Sequence, residues 1–209
     1  YEVNLLLFGR NEMDFQKMFT DSIISMHSPN QMFLPKPFFP TSNPLIVQES
    51  EGFFNIQAYD RVTVTFPFFY DLQSLDSYQI IYTLRGQGTL TRNDQEYQLI
   101  ANTLCFINCQ VKHSINMNQS ALWEFIYIFI NSSSIGPYYK LYTNDSSPIM
   151  DLFPSSNIPH LFEKLDNKEY SNPLNQALIN SKNISDLLTY MIIEKNHTEP
   201  SRKKIPRYI

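Results

Sequence analysis

Tyr78-Gln-Ile-Ile-Tyr-Thr-Leu-Arg-Gly-Gln-Gly-Thr-Leu90 is the stretch on which the fold is read. Its first half is rich in aromatic and β-branched residues, which suit a pleated and buried strand. Gly86-Gln87-Gly88 then supplies a bend or bulge, tolerated because glycine has no Cβ. Thr89-Leu90-Thr91 resumes the strand, and Asn93-Asp94 signals a turn. Working outward, residues 96–99 form the next strand, Ala101-Asn102 turns, and residues 104–107 follow. A further strand carries residues 113–116, and residues 123–130 are the most apolar of the set. On the N-terminal side Val62, Val64 and Phe66 alternate with Thr63 and Thr65, as in a strand with one buried face. Short strands at close spacing joined by tight turns predict an antiparallel barrel or sandwich.

The flanks read differently. In the first 60 residues one helix is expected, with Asn11 as its cap, Asp14 reaching back, and Phe15, Met18, Phe19 and Ile23 at helical spacing. A proline-punctuated stretch over residues 29–44 follows as an extended arm, which either packs on the barrel or serves as a lid. Residues 158–196 have a helical period. Pro159 suits the first turn of a helix running to about residue 169, Ser171-Asn172 breaks it, and Pro173 opens a second helix. There Leu174, Leu178, Ile184, Leu188, Met191 and Ile192 form one apolar stripe, either intramolecular packing or a dimer seam, and periodicity does not separate the two. The expected organisation is an arm over 1–60, a barrel over 61–150, helices over 151–197 and a charged linker over 198–209.

Composition narrows the functional classes. With 209 residues, 43% hydrophobic, the chain can bury a real core, and a net charge of −4 gives no reason to expect phosphate-backbone binding. Thirteen Tyr and sixteen Phe suit a packed β core or an apolar cavity equally. Cys105 and Cys109 lie about 13 Å apart if the strand is extended, too far for a bond without a sharp turn, so both are read as free thiols in a reducing cytoplasm. No stretch reaches the roughly 18 apolar residues that span a bilayer.

The ordered set of elements resembles the cupin-like sensor domain of AraC/XylS-type transcription regulators. Its pieces are Arg85-Gly86-Gln87-Gly88, Gln95-Glu96-Tyr97-Gln98-Leu99, Leu104-Cys105-Phe106-Ile107, His113 and Trp123-Glu124-Phe125-Ile126-Tyr127-Ile128. They agree in order and spacing over residues 62–143. The segment 158–196 matches the family's dimerisation helices, and residues 203–209 look like the linker into its DNA-binding half. The family's Pro-Gly turn is Ala101-Asn102 here, so that turn must be made differently. The resemblance implies a mainly β fold with an α appendage: a jelly-roll-like barrel followed by an antiparallel helix pair. It implies a small-molecule effector in the barrel, and a homodimer through Leu174, Leu178, Ile184, Leu188, Met191 and Ile192. DNA is expected to be met only by a half that this sequence does not contain. Sugars are common effectors in the family, and aromatic faces stack on sugar C–H groups, which makes a carbohydrate the first effector to try.

Site residues come from two sources. Phe125, Tyr127 and Phe129 share one face of their strand and Glu124, Ile126 and Ile128 the other. Charged Glu124 favours solvent or a polar partner, which turns the aromatic face inward. The resemblance adds Phe69, Asp71 and Ile115 to the pocket wall, with Asp71 as a polar anchor. His113 is read either as a ligand contact or as a loop residue bonded to backbone. The four histidines are His27, His113, His160 and His197, and only His113 lies at a barrel motif position, so neither a metal nor another cofactor is expected. No nucleophile elbow or carboxylate pair stands out, Cys109 near Lys112 and His113 reads as an ordinary turn thiol, and the chain is read as a non-enzyme. Two alternatives stay open: a metal-free cupin-type isomerase or lyase, and a constitutive dimerisation module whose barrel is filled by its own side chains.

Overall fold

The computed structural model describes residues 10–29, 33–38, 52–117, 122–144, 147–166 and 172–198. In chain order the elements are α1 (Arg10–Ser22), β1 (Ile23–His27), β2 (Asn55–Val64), β3 (Phe69–Leu72), β4 (Tyr78–Arg92), β5 (Gln95–Ile100), β6 (Thr103–Asn108), β7 (His113–Asn116) and β8 (Trp123–Asn131). Then follow α2 (Ile135–Thr143), β9 (Ile149–Asp151), α3 (Ile158–Asp166) and α4 (Pro173–Thr198). Most of the arm over 29–44 and the tail after residue 198 lie outside the described residues, as do the side chains of Asn11 and Asp14.

β4 serves two antiparallel sheets. Its first half pairs with β8 and β6, and its second half with β7 and β5. β2 extends the first sheet beyond β8 and β9 beyond β6, while β3 and β1 extend the second beyond β7. The change of partners happens at the glycines. A bulge against β8 falls between Thr83 and Arg85, and Gly86 takes φ +75°, where an added Cβ would stand 2.1 Å from the Leu122 carbonyl oxygen. A Cβ at Gly88 would come within 2.5 Å of the Trp123 ring. Asn93 and Asp94 both have positive φ, the pairing a tight hairpin needs. The turn that lacks Pro-Gly is made by Asn102, at φ 64°, with its N–H bonded to the Thr83 carbonyl at 2.9 Å.

The first sheet is buried on both faces. Trp123, Phe125, Tyr127 and Phe129 face the second sheet, and Ile128 and Ile130 face a helical layer. That layer presents Ile135 and Tyr142 of α2, Leu161, Phe162 and Leu165 of α3, and Ile184, Leu187, Leu188 and Met191 of α4. α3 and α4 are in contact. Asn172 caps α4 by accepting from the Leu174 N–H at 2.9 Å, one residue before Pro173, as a helix start requires. Near the other end of α4 the buried Lys195 ammonium lies 4.0 Å from the Tyr142 ring centre and donates to the Ser147 carbonyl, tying the helix to the approach to β9.

Three elements depart from expectation. β1 and the first half of β2 fall within the first 60 residues, so part of the expected arm is woven into the sheets. The strand-like region ends at Asn131, because Ile135, Tyr138, Tyr139 and Tyr142 form the apolar side of α2 behind an unpromising Gly136-Pro137. The apolar stripe of α4 also divides. Ile184, Leu188 and Met191 are at most 1% exposed in the chain's own core, whereas Leu174 and Leu178 are 43% and 40% exposed.

Gly86→Ala should destabilise the fold by about 3 kcal/mol, since it adds both a backbone clash and a strained φ. Leu188→Asp should unfold the chain rather than split a dimer, because it strands a carboxylate inside the core. Urea melts followed by circular dichroism check both.

Candidate functional site

Alternation along β3, β4, β7 and β8 fills the space between the sheets with rings. Tyr70, Ile115, Phe125, Tyr127 and Phe129 are each no more than 1% exposed. Phe15 and Phe19 of α1 close one side, with Phe19 5.7 Å from Phe129 and 6.1 Å from Tyr70. The interior polar groups bond in pairs. The Gln79 amide donates to the Tyr70 hydroxyl at 2.8 Å, and the Trp123 indole N–H donates to Thr83 Oγ1 at 3.3 Å.

The described part of the arm, residues 33–38, lies against the same cage. Phe33 stacks on Tyr70 at 5.6 Å and meets Phe68 and Tyr127 edge-on at 5.4 and 5.7 Å. The Lys36 N–H donates to the Tyr127 hydroxyl at 2.7 Å. Two further backbone bonds, Phe38 N–H to the Gln57 carbonyl and Tyr59 N–H to the Lys36 carbonyl, seat the arm on β2. Burial pushes the Tyr127 hydroxyl's pKa up, so it stays a neutral donor and acceptor.

The expected site residues divide. Phe125, Tyr127, Ile115 and His113 come together inside. Phe69 and Asp71 do not, because Tyr70 and Leu72 take the inner face of β3 and a strand has a period of two. On the outer face the Asp71 carboxylate accepts from Ser25 Oγ, and the Phe69 ring stacks on His27 at 6.1 Å. Tyr70 holds the place assigned to its neighbours. Glu124 finds its polar partner in Arg61, at 2.7 Å, with Arg85 at 3.7 Å. Phe33, Tyr70, Gln79 and Arg92 were missed. A polar Gln79 in an apolar strand was a readable signal, while Phe33 in a proline-rich stretch offered none.

His113 is 2% exposed, and its Nδ1–H donates to the Val111 carbonyl at 2.9 Å. Cys105 and Cys109 are free and buried, and burial raises both thiol pKa values, which keeps them protonated and unreactive. Among the described residues no three His, Cys, Asp or Glu side chains converge as metal ligands. No described helix is long and apolar enough to cross a membrane.

Burial lowers the His113 pKa from 6.5 to about 4, helped by the Arg92 charge and opposed by the Val111 bond and Asp71. Between those two values the unfolded chain binds the extra proton. The stability from neutral His113 is therefore complete above about pH 6.5 and is lost as pH falls through about 4, roughly 3 kcal/mol in all. His113→Gln should flatten that part of the curve. Denaturant melts of both proteins at about pH 7.5 and about pH 4.5 measure the difference.

Known proteins place this architecture. Among solved structures the AraC-like transcriptional activator CuxR aligns over 90% of this chain and 65% of its own, at 8% identity and TM-score 0.51, which shows a shared fold. The protein YhaK from Escherichia coli aligns over 63% of this chain and 52% of its own, at 9% identity and TM-score 0.41. A predicted oxalate decarboxylase from Thermotoga maritima aligns over 36% of this chain and 67% of its own, at 21% identity and TM-score 0.34. The chain thus spans less than two thirds of the activator's length. No curated protein matches. The model of the AraC-like ligand binding domain matches residues 64–179, more than half of the sequence, and the chain belongs to that family.

Proposed function

We propose that this chain is the effector-sensing part of an AraC-type transcription regulator and is not an enzyme. A small molecule, with carbohydrates first to be tried, enters between the sheets among Tyr70, Phe125 and Tyr127. The observation that carries this reading is the arm. Phe33 is wedged into the ring cage and the Lys36 amide sits on the Tyr127 hydroxyl, so withdrawal of one short segment opens rings and a hydroxyl together. A ligand that binds the open state better than the closed one shifts that balance by its difference in affinity. The bonds released by the arm are the ones a ligand hydroxyl and C–H face would remake. DNA contact belongs to a half of the regulator outside this sequence.

We further propose a homodimer through the exposed side of α4. Leu174, Leu178, Tyr190 and Ile193 are 40–45% exposed there, opposite the face buried against the first sheet. A helix of 26 residues offers about 39 Å of contact to a two-fold partner. The rings that pack the interior support a second reading, a constitutive dimerisation module that takes no ligand.

A thermal-shift screen separates the two readings. A ligand at a hundredfold excess over its dissociation constant adds about 2.7 kcal/mol and raises Tm, while the constitutive module shows no shift with any compound. For the ligand found, calorimetry on Tyr127→Ala should show affinity lower by about 1–3 kcal/mol, and unchanged affinity would place the ligand elsewhere. Leu178→Glu combined with Ile193→Glu should sediment as a folded monomer, and a persistent dimer would move the seam off this face.

A further inference from the structure

The end of the barrel remote from Trp123 holds two polar groups that the packing leaves unsatisfied. Leu72 pairs with His113 and Thr91 with Ser114, which sets Arg92 beside His113 on neighbouring strands. Leu90, two residues before Arg92 and fully buried in the inner cluster, shows that this side of β4 faces inward, as do His113 and Ile115 on β7. His113 spends its Nδ1–H on the Val111 carbonyl, so Nε2 is left as a bare acceptor. That Nε2 is buried without a hydrogen-bond partner among the described residues, and so is the Nε–H of Arg92. Arg92 is held in place from its far side. Its Nη1 donates to the Tyr139 hydroxyl, and the guanidinium carbon lies 5.9 Å from the centre of that ring.

An orphaned acceptor beside an orphaned donor is complementary to one kind of group. It must give a hydrogen to Nε2 and accept one from Nε–H, which an alcohol does with a single oxygen. An ionised carboxylate has no hydrogen to give and would meet the Nε2 lone pair with its own. An ammonium has no lone pair to offer Arg92 and would meet its positive charge. Buried polar groups in folded proteins find partners as a rule, and a matched pair of exceptions facing one interior marks a contact completed from outside the chain.

We propose that His113 Nε2 and Arg92 Nε form a hydroxyl-binding subsite at the inner end of the barrel, which selects neutral polyhydroxylated effectors over their carboxylate counterparts. The inference rests on the effector-sensing reading above and adds the ligand class and a residue, Arg92, that the sequence did not single out.

The test uses xylitol, glucose and gluconate as probes of the wild-type chain, His113→Phe and Arg92→Met, by calorimetry and ligand-observed NMR. Xylitol or glucose should bind the wild type saturably, gluconate at least tenfold more weakly than glucose, and either variant should weaken polyol binding at least tenfold. A second readout covers a variant that fails to fold. In the wild type, long-range proton–nitrogen correlation of the His113 ring should show Nε2 moving upfield with the polyol while Nδ1 stays put. Equal polyol binding by both folded variants, or an unmoved Nε2 in the bound wild type, overturns the subsite and leaves the effector reading standing. So does a wild type that binds only apolar compounds, or gluconate as tightly as glucose. If no compound of any class binds, both fall together.

Discussion

The indole of Trp123 lies where a side chain at position 88 would stand, 2.5 Å from the Cβ that glycine lacks, and the course of β4 depends on that contact. Two residues earlier the backbone takes a positive φ at Gly86, close under the Leu122 carbonyl. Between these points β4 leaves β6 and β8 and joins β5 and β7. A strand with side chains at both positions would clash with the start of β8 and run on in the first sheet. The space between the sheets exists because one strand bends there, and the ring that occupies the bend becomes part of the interior, with its N–H satisfied by Thr83.

β8 then links two cores through one backbone. Its odd-numbered residues build the ring cage, and Ile128 and Ile130 seat the helical layer. A strand with both faces buried has little freedom to move one face without the other, since interiors are packed at crystal-like density. β6 repeats the arrangement, with Cys105 and Ile107 inside and Leu104 and Phe106 against the helices. The last turn of α4 is joined to the same sheet through Lys195 and the approach to β9.

The interior itself is apolar in bulk and polar at chosen points. Tyr70 with Gln79, and Trp123 with Thr83, satisfy each other, whereas Tyr127 takes its partner from the arm. The interior therefore does not close on itself. One of its hydroxyls is completed by a segment that β2 holds with a few backbone bonds, and such a segment belongs to the low-stability end of a fold.

Strand order, the glycine bend, the inward aromatic face of residues 125–129 and the start of α4 at Pro173 were all legible from the chain alone. Each follows from a local rule: the period of two, the missing Cβ, the fixed φ of proline. The same rules also show that Tyr70 and Leu72 must share a face, yet which face of β3 looks inward was decided by its partners β1 and β7. Periodicity marked the apolar residues of α4 without saying what they touch. Ile184, Leu188 and Met191 went to the chain's own sheet because that sheet exposes isoleucines that need a cover. The position of Phe33 against Tyr70 and the placing of Arg92 beside His113 join residues 37 and 21 positions apart, counted from the numbering. Such encounters carry no local signature, because they are created when the sheets close, and only the tertiary structure could decide them.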